Sequence, residues 1–139
     1  MFDVFVDATL ARGRAYWWRP RGFSMTPAVR DGDRVLIGPA SADRLRIGDI
    51  VKVRGGGGFT LHRLVRRWRG ADGGWRLELQ GDNVAVPDAP VDAAALVGVA
   101  LAVERDGRWR RLDTRRARLC GWLKAMKLRA RRFSPGHRP

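Results

Sequence analysis

Ser24 lies in Gly22-Phe23-Ser24-Met25-Thr26-Pro27, a segment bounded by glycine and proline and followed by Val29-Arg30-Asp31-Gly32-Asp33 and the apolar run Val35-Leu36-Ile37. A serine on such a loop, feeding into a strand, is placed to act as a nucleophile. Its hydroxyl keeps its proton at neutral pH, so that chemistry requires a general base within hydrogen-bond reach. His62, in Thr60-Leu61-His62-Arg63-Leu64-Val65, is the one histidine in the body of the chain; His137 falls in the tail and reads as inert. A histidine base needs an acid to orient it. The loop Gly81-Asp82-Asn83 supplies Asp82, and Asp88 follows between Pro87 and Ala89, ranked second as a loop residue. Lys52 is the other candidate base, but its place in an alternating apolar and basic run puts it on a solvated face.

The elements that must position these residues follow from periodicity. Residues 2–15 carry Phe2, Val6 and Leu10 at helical spacing, with Asp3 and Asp7 near the start where the helix dipole favours acids. Tyr16-Trp17-Trp18-Arg19 reads as an entry strand, with Trp17 and Trp18 as packing residues rather than a stacking platform for substrate. Residues 34–37 form a strand entered through the Asp31-Gly32-Asp33 turn. Residues 50–54 read as a half-exposed strand, residues 55–58 as a glycine hairpin loop, and residues 59–65, continued outward to 69, as the returning strand that carries His62. The glycine run lacks a following lysine and serine, so it is not a phosphate cradle. After a turn at residues 71–74, Trp75, Leu77 and Leu79 alternate with polar residues into Gly81-Asp82-Asn83. Residues 84–95, with Pro87 and Pro90, read as loop; residues 96–103 and 109–112 complete the strands. From Thr114 the period changes: Leu119, Trp122, Leu123 and Met126 recur at three and four, giving a basic amphipathic helix to about residue 132 and a disordered end over 134–139.

Composition narrows the class. The chain has 139 residues and a net charge of +14; residues 108–139 hold twelve Lys or Arg against one acid, Asp113, which leaves +3 for the first 107. The basic character thus belongs to the tail and suits an anionic partner. Two fates of the C-terminal helix stand side by side: packing on the sheet, or lying in a bilayer interface with its cations on anionic headgroups through residues 115–132. Nucleic acid is disfavoured, since no recognition motif or stacking platform accompanies the charge. The single cysteine, Cys120, excludes an internal disulfide framework and a cysteine-rich zinc site. No metal or cofactor is called for. No run approaches eighteen apolar residues and no secretory signal is evident, which points to the cytoplasm, with a peripheral position at the inner membrane surface as the further expectation.

The ordered series Ser24-Met25-x-Pro27, Gly32-Asp33-x-Val35, Gly48-Asp49-Ile50-Val51, His62-Arg63-Leu64-Val65, then Gly81-Asp82-Asn83 and Asp88, resembles the signal peptidase I and LexA-type (S24/S26) superfamily of serine peptidases. The match runs across roughly residues 14–103. In the bacterial signal peptidases and LexA-like proteins the base before the arginine is lysine. Here it is His62, which resembles the archaeal and endoplasmic-reticulum type. That resemblance implies a Ser24 nucleophile, a His62 base, and Asp82 or Asp88 as orienting acid. It also implies an oxyanion met by the Ser24 N–H and a second donor, unassigned because Gly22-Phe23 replaces the family's Ser-Gly.

The resulting expectation is a mainly β domain over residues 1–113, a coiled antiparallel sheet or partial barrel with a short N-terminal helix. Residues 114–139 form the basic helix and tail. The expected function is a serine endopeptidase cutting a peptide or protein precursor. The absence of a transmembrane anchor argues against housekeeping on secreted preproteins, and the 23 residues before Ser24 are too few for a self-cleaving repressor. The competing class is a catalytically inactive binding module of the same fold whose basic tail binds membrane or nucleic acid.

Overall fold

The computed structural model describes residues 14–131. The helix expected over 2–15 lies almost wholly outside the described residues, as do His137 and the end expected to be disordered.

Among the described residues, eight strands make one antiparallel sheet: β1 (Tyr16–Trp18), β2 (Arg34–Gly38), β3 (Ile50–Gly55), β4 (Gly58–Arg69), β5 (Trp75–Gln80), β6 (Val91–Asp92), β7 (Leu96–Arg105) and β8 (Arg108–Arg111). Their order is β1-β2-β7-β3-β4-β5-β6, with β8 also on β7. The sheet curls into a half-barrel, and one helix, α1 (Arg115–Arg131), follows it. Within residues 84–95, read as loop, the chain adds the two-residue β6 and a 3₁₀ turn at Ala93–Ala95.

β3 departs from expectation. It lies between β7 and β4, and Ile50, Val51, Lys52 and Val53 are all buried. Alternation of residue type therefore does not mean alternation of solvent here. Val51 and Val53 join Leu45, Leu64, Leu77 and Leu79 in one core cluster, while Ile50 joins Met25, Val29, Val35, Ile37 and Leu61 in another. Lys52 leaves the sheet among aromatic rings: its Nζ is 3.9 Å from the Trp18 ring centroid and 4.2 Å from that of Phe59, and it donates to the Tyr16 hydroxyl at 3.2 Å. The expected solvated lysine is fully buried, its charge met by π-faces and a hydroxyl.

The ladder between β4 and β5 slips between Leu64 and Arg66, which leaves Val65 without a partner on β5. At that bulge Ala125 and Leu128 of α1 pack on Val65. Thr114 caps α1, its Oγ1 accepting from the Ala117 N–H at 3.1 Å. The face turned to the sheet is made of Gly121, Ala125 and Leu128, whereas Leu119, Trp122 and Leu123 of the apolar stripe remain exposed; Met126 is partly buried. Small residues win because the backbones come close. A Cβ on Gly121 would lie 2.8 Å from the Gly48 carbonyl oxygen, and one on Gly48 would run into the Gly121 backbone.

Candidate active site

Ser24 sits in a run of tight turns between β1 and β2 that is fastened from three sides. Within it, the Thr26 N–H donates to Phe23 O at 3.1 Å and the Val29 N–H to Met25 O at 2.9 Å. Met25 and Val29 anchor the turns in the core. From the β7–β8 hairpin, Arg105 Nη2 donates to Pro27 O at 3.2 Å and Arg110 Nη2 to Ala28 O at 2.9 Å. Arg105 also grips Asp33, Nη2 to Oδ2 at 2.7 Å and Nε to Oδ1 at 3.0 Å. Burial pushes the Asp33 carboxyl up, but the Arg105 bonds and the Arg30 N–H outweigh it and hold the group below the ordinary carboxylate value. Asp49, the residue before β3, is the opposite case. Burial raises its carboxyl, against the Arg46 N–H and the charges of Arg118, Arg46 and Arg63.

The third fastening is Gly81-Asp82-Asn83. The Asn83 N–H donates to Ser24 O at 2.8 Å and its Nδ2 to Phe23 O at 3.3 Å. A Cβ at position 81 would fall 2.7 Å from Ser24 O and 3.1 Å from His62 Nε2, so only glycine lets this loop approach so closely.

His62 is held in the middle of β4, paired with Val51, and is buried. Its Nε2 lies 3.0 Å from Ser24 Oγ, and its Nδ1 is hydrogen-bonded to Asp88 Oδ2. Asp88 is itself fixed by its N–H, which donates to Leu79 O at 2.8 Å. With the proton on Nδ1 directed at the Asp88 carboxylate, the Nε2 lone pair faces the serine hydroxyl. That is the arrangement a general base requires.

The geometry reverses the order in which the two acids were ranked. Asp82 is taken by Arg63, Nε to Oδ1 and Nη2 to Oδ2, both at 2.7 Å, in a buried two-pronged ion pair. The third arm of Arg63, Nη1, donates to Gly48 O at 2.8 Å, beneath the contact with α1. Asp82 therefore braces the loop that carries Asn83, and Asp88 is the carboxylate at the imidazole. Lys52 is corrected likewise: β3 pairs it with Leu61, one residue out of step with His62, and its Nζ is engaged by the Trp18 and Phe59 rings and the Tyr16 hydroxyl. The supports Arg105, Arg110 and Arg63 were not singled out from sequence; only the adjacency of Arg63 to His62 hinted at any of them.

A cleft of about 450 Å³ opens beside Ser24 and His62. Trp18, Met25, Val29, Phe59 and Leu61 form its apolar lining, and the exposed Arg19, Arg21 and Arg30 stand on its rim. Trp18 thus serves both as cleft wall and as cover over Lys52; Trp17 packs edge-to-face on Trp109. Among the described residues no group of three or more His, Cys, Asp or Glu is disposed to hold a metal ion.

The peptidase S24-like family model matches residues 3–101. The chain belongs to the peptidase S24-like family. That span contains every strand from β1 to β6, most of β7, and all of Ser24, His62, Asp82 and Asp88. Comparison with curated proteins finds no match. The S24-like chain thus carries a peptidase fold with a serine, a histidine and an aspartate in hydrogen-bonded sequence. No described helix is long and apolar enough to cross a membrane.

Proposed function

We propose that this S24-like protein is a serine endopeptidase that works with Ser24, His62 and Asp88, the histidine-base variant of its superfamily. The observation that carries the reading is the chain of contacts from Ser24 Oγ through His62 to Asp88 at the mouth of a cleft. Ser24 Oγ attacks a peptide carbonyl carbon as His62 Nε2 takes the hydroxyl proton, and the Asp88 carboxylate stabilises the imidazolium. The Ser24 N–H is the first candidate for the oxyanion, since among the described residues it has no acceptor. The Gly22 N–H is not available as a second, because it donates to Asp31 Oδ1 at 2.9 Å. Collapse of the tetrahedral adduct passes the proton from His62 to the leaving amine. Water, deprotonated by the same nitrogen, then releases the acyl group.

The substrate class follows from the cleft. Its lining favours an extended segment with an apolar side chain beside the scissile bond, and three arginines on the rim favour carboxylates nearby. A peptide or protein precursor presenting such a segment fits. The inactive binding module of the same fold has no observation in its favour, because a buried imidazole oriented by one group and aimed at a hydroxyl does nothing for binding.

The test is mass spectrometry of a diverse peptide mixture incubated with wild type, Ser24→Ala and His62→Ala across pH. Cleavage should vanish in both variants, since one lacks the nucleophile and the other the nitrogen that takes its proton. Cleavage that survives His62→Ala would overturn the mechanism.

A further inference from the structure

We infer that the outward face of α1 is a docking surface for an anionic phospholipid bilayer, independently of what the cleft does. The helix meets the sheet through Gly121, Ala125 and Leu128, which satisfies its packing and leaves its bulkiest apolar side chains outside. Leu119, Trp122 and Leu123 are 58%, 46% and 52% exposed. At 3.6 residues per turn, positions 119, 122 and 123 make one continuous stripe. Arg115 and Arg116 stand one turn before Leu119 on that side, and Lys127 one turn after Leu123; all three are exposed. Among the described residues none of the three is in an ion pair, whereas Arg63, Arg105 and Arg111 are.

An apolar centre bordered by cations on one helix face matches the layered chemistry of a membrane interface, acyl chains below and phosphate above. Other occupants fit less well. A nucleic acid would meet the cations but leave two leucines against phosphate and water. A second copy of the chain would set Arg115, Arg116 and Lys127 against like charges. The surface belongs to a segment whose acids are few: Asp113 is the one acid from residue 108 onward, and it is bonded to Arg111.

The experiment is sedimentation of the full chain with vesicles of equimolar phosphatidylglycerol and phosphatidylcholine, and with vesicles of phosphatidylcholine alone. Binding should favour the anionic vesicles and weaken with salt. Replacing Leu119 and Leu123 by Gln should weaken it about tenfold or more. Replacing Arg115, Arg116 and Lys127 by Gln should weaken it on the order of a hundredfold. Trp122→Phe should remove part of the blue shift in tryptophan emission seen with vesicles, and it carries the test should the leucine variant fail to fold. Ser24→Ala should bind as wild type does. Equal affinity for both vesicles, no binding, or binding indifferent to Leu119 and Leu123 would overturn the inference. So would tighter binding to duplex DNA, or a dimer in sedimentation velocity that needs the two leucines.

Discussion

Asp82 and Asp88 are six residues apart in one loop and should fail in different ways. Asp82→Asn removes one charge of a buried, two-pronged pair in which the side chains of Arg63 and Asp82 are 8% and 2% exposed. The remaining guanidinium stays buried with part of its bonding lost, a change that typically costs about 3–5 kcal/mol. Against a total stability of roughly 5–15 kcal/mol that is a large share. With a melting shift of roughly 3–4 °C per kcal/mol for a chain of this size, the variant should melt about 9–20 °C lower. Asp88→Asn touches a carboxylate whose side chain is 35% exposed, so its stability cost should stay within about 1 kcal/mol. Its effect belongs to the imidazole: an amide at position 88 can donate to Nδ1 and turn the proton to Nε2, the wrong tautomer for accepting from Ser24. By the general behaviour of such triads, turnover should fall by about 10⁴-fold. The assay pairs thermal unfolding by circular dichroism with initial cleavage rates on the best peptide from the library, measured well below each melting point. The reasoning fails if Asp88→Asn melts as low as Asp82→Asn, or if Asp82→Asn is folded, stable and inactive.

Lys52→Met should keep cleavage within a few-fold of wild type, because the lysine's Nζ is turned to the Trp18 and Phe59 rings and the Tyr16 hydroxyl while His62 Nε2 is the nitrogen at Ser24 Oγ; a folded but inactive variant would make it the base. Gly121→Ala should lower the melting temperature by an amount equivalent to about 1–3 kcal/mol, since its methyl meets the Gly48 carbonyl, and an unchanged melt would show the helix able to shift freely. Acidity should act on two aspartates with opposite sign. The Asp33 carboxyl is depressed in the fold, so its stabilisation is fully present above the unfolded value of about 3.9 and disappears as pH falls through the lower folded value. Asp33→Asn should therefore melt lower than wild type at pH 7, with the gap closing on acidification below about pH 4. The Asp49 carboxyl is raised by burial, so its charge opposes folding above the folded value and the penalty fades as pH drops toward the unfolded one. Asp49→Asn keeps an oxygen for the Arg46 N–H, bonded now at 2.8 Å, and should melt no lower than wild type at neutral pH. A clear drop there would reverse the sign.

The strands, their order along the chain and the meeting of Ser24 with His62 were legible because each rests on local signals: turn residues, alternating apolar positions, and motifs whose spacing is kept. What was not legible depends on partners far away in sequence. Asp82 and Asp88 share one loop, and only the position of Arg63 across the sheet decides which of them turns to the imidazole. The burial of Lys52 depends on rings from β1 and β4, which no reading of β3 alone supplies. The helix was read by its largest apolar residues, yet the close approach of Gly48 and Gly121 selects small residues for the contact. Bulk marks what a helix can bury; the space between backbones decides what it does bury.

The fastening of the Ser24 turns also has a consequence in time. Their carbonyls are held by Asn83, about sixty residues on, and by Arg105 and Arg110, about eighty residues on. Closing such long loops is slow and uphill until the far contacts exist. As the chain leaves the ribosome, serine and histidine both emerge long before the arginines that shape the serine's surroundings. The surroundings of Ser24 are therefore complete only when the β7–β8 hairpin arrives, so the earliest chemistry-bearing residue of the chain is the last to be fixed in place.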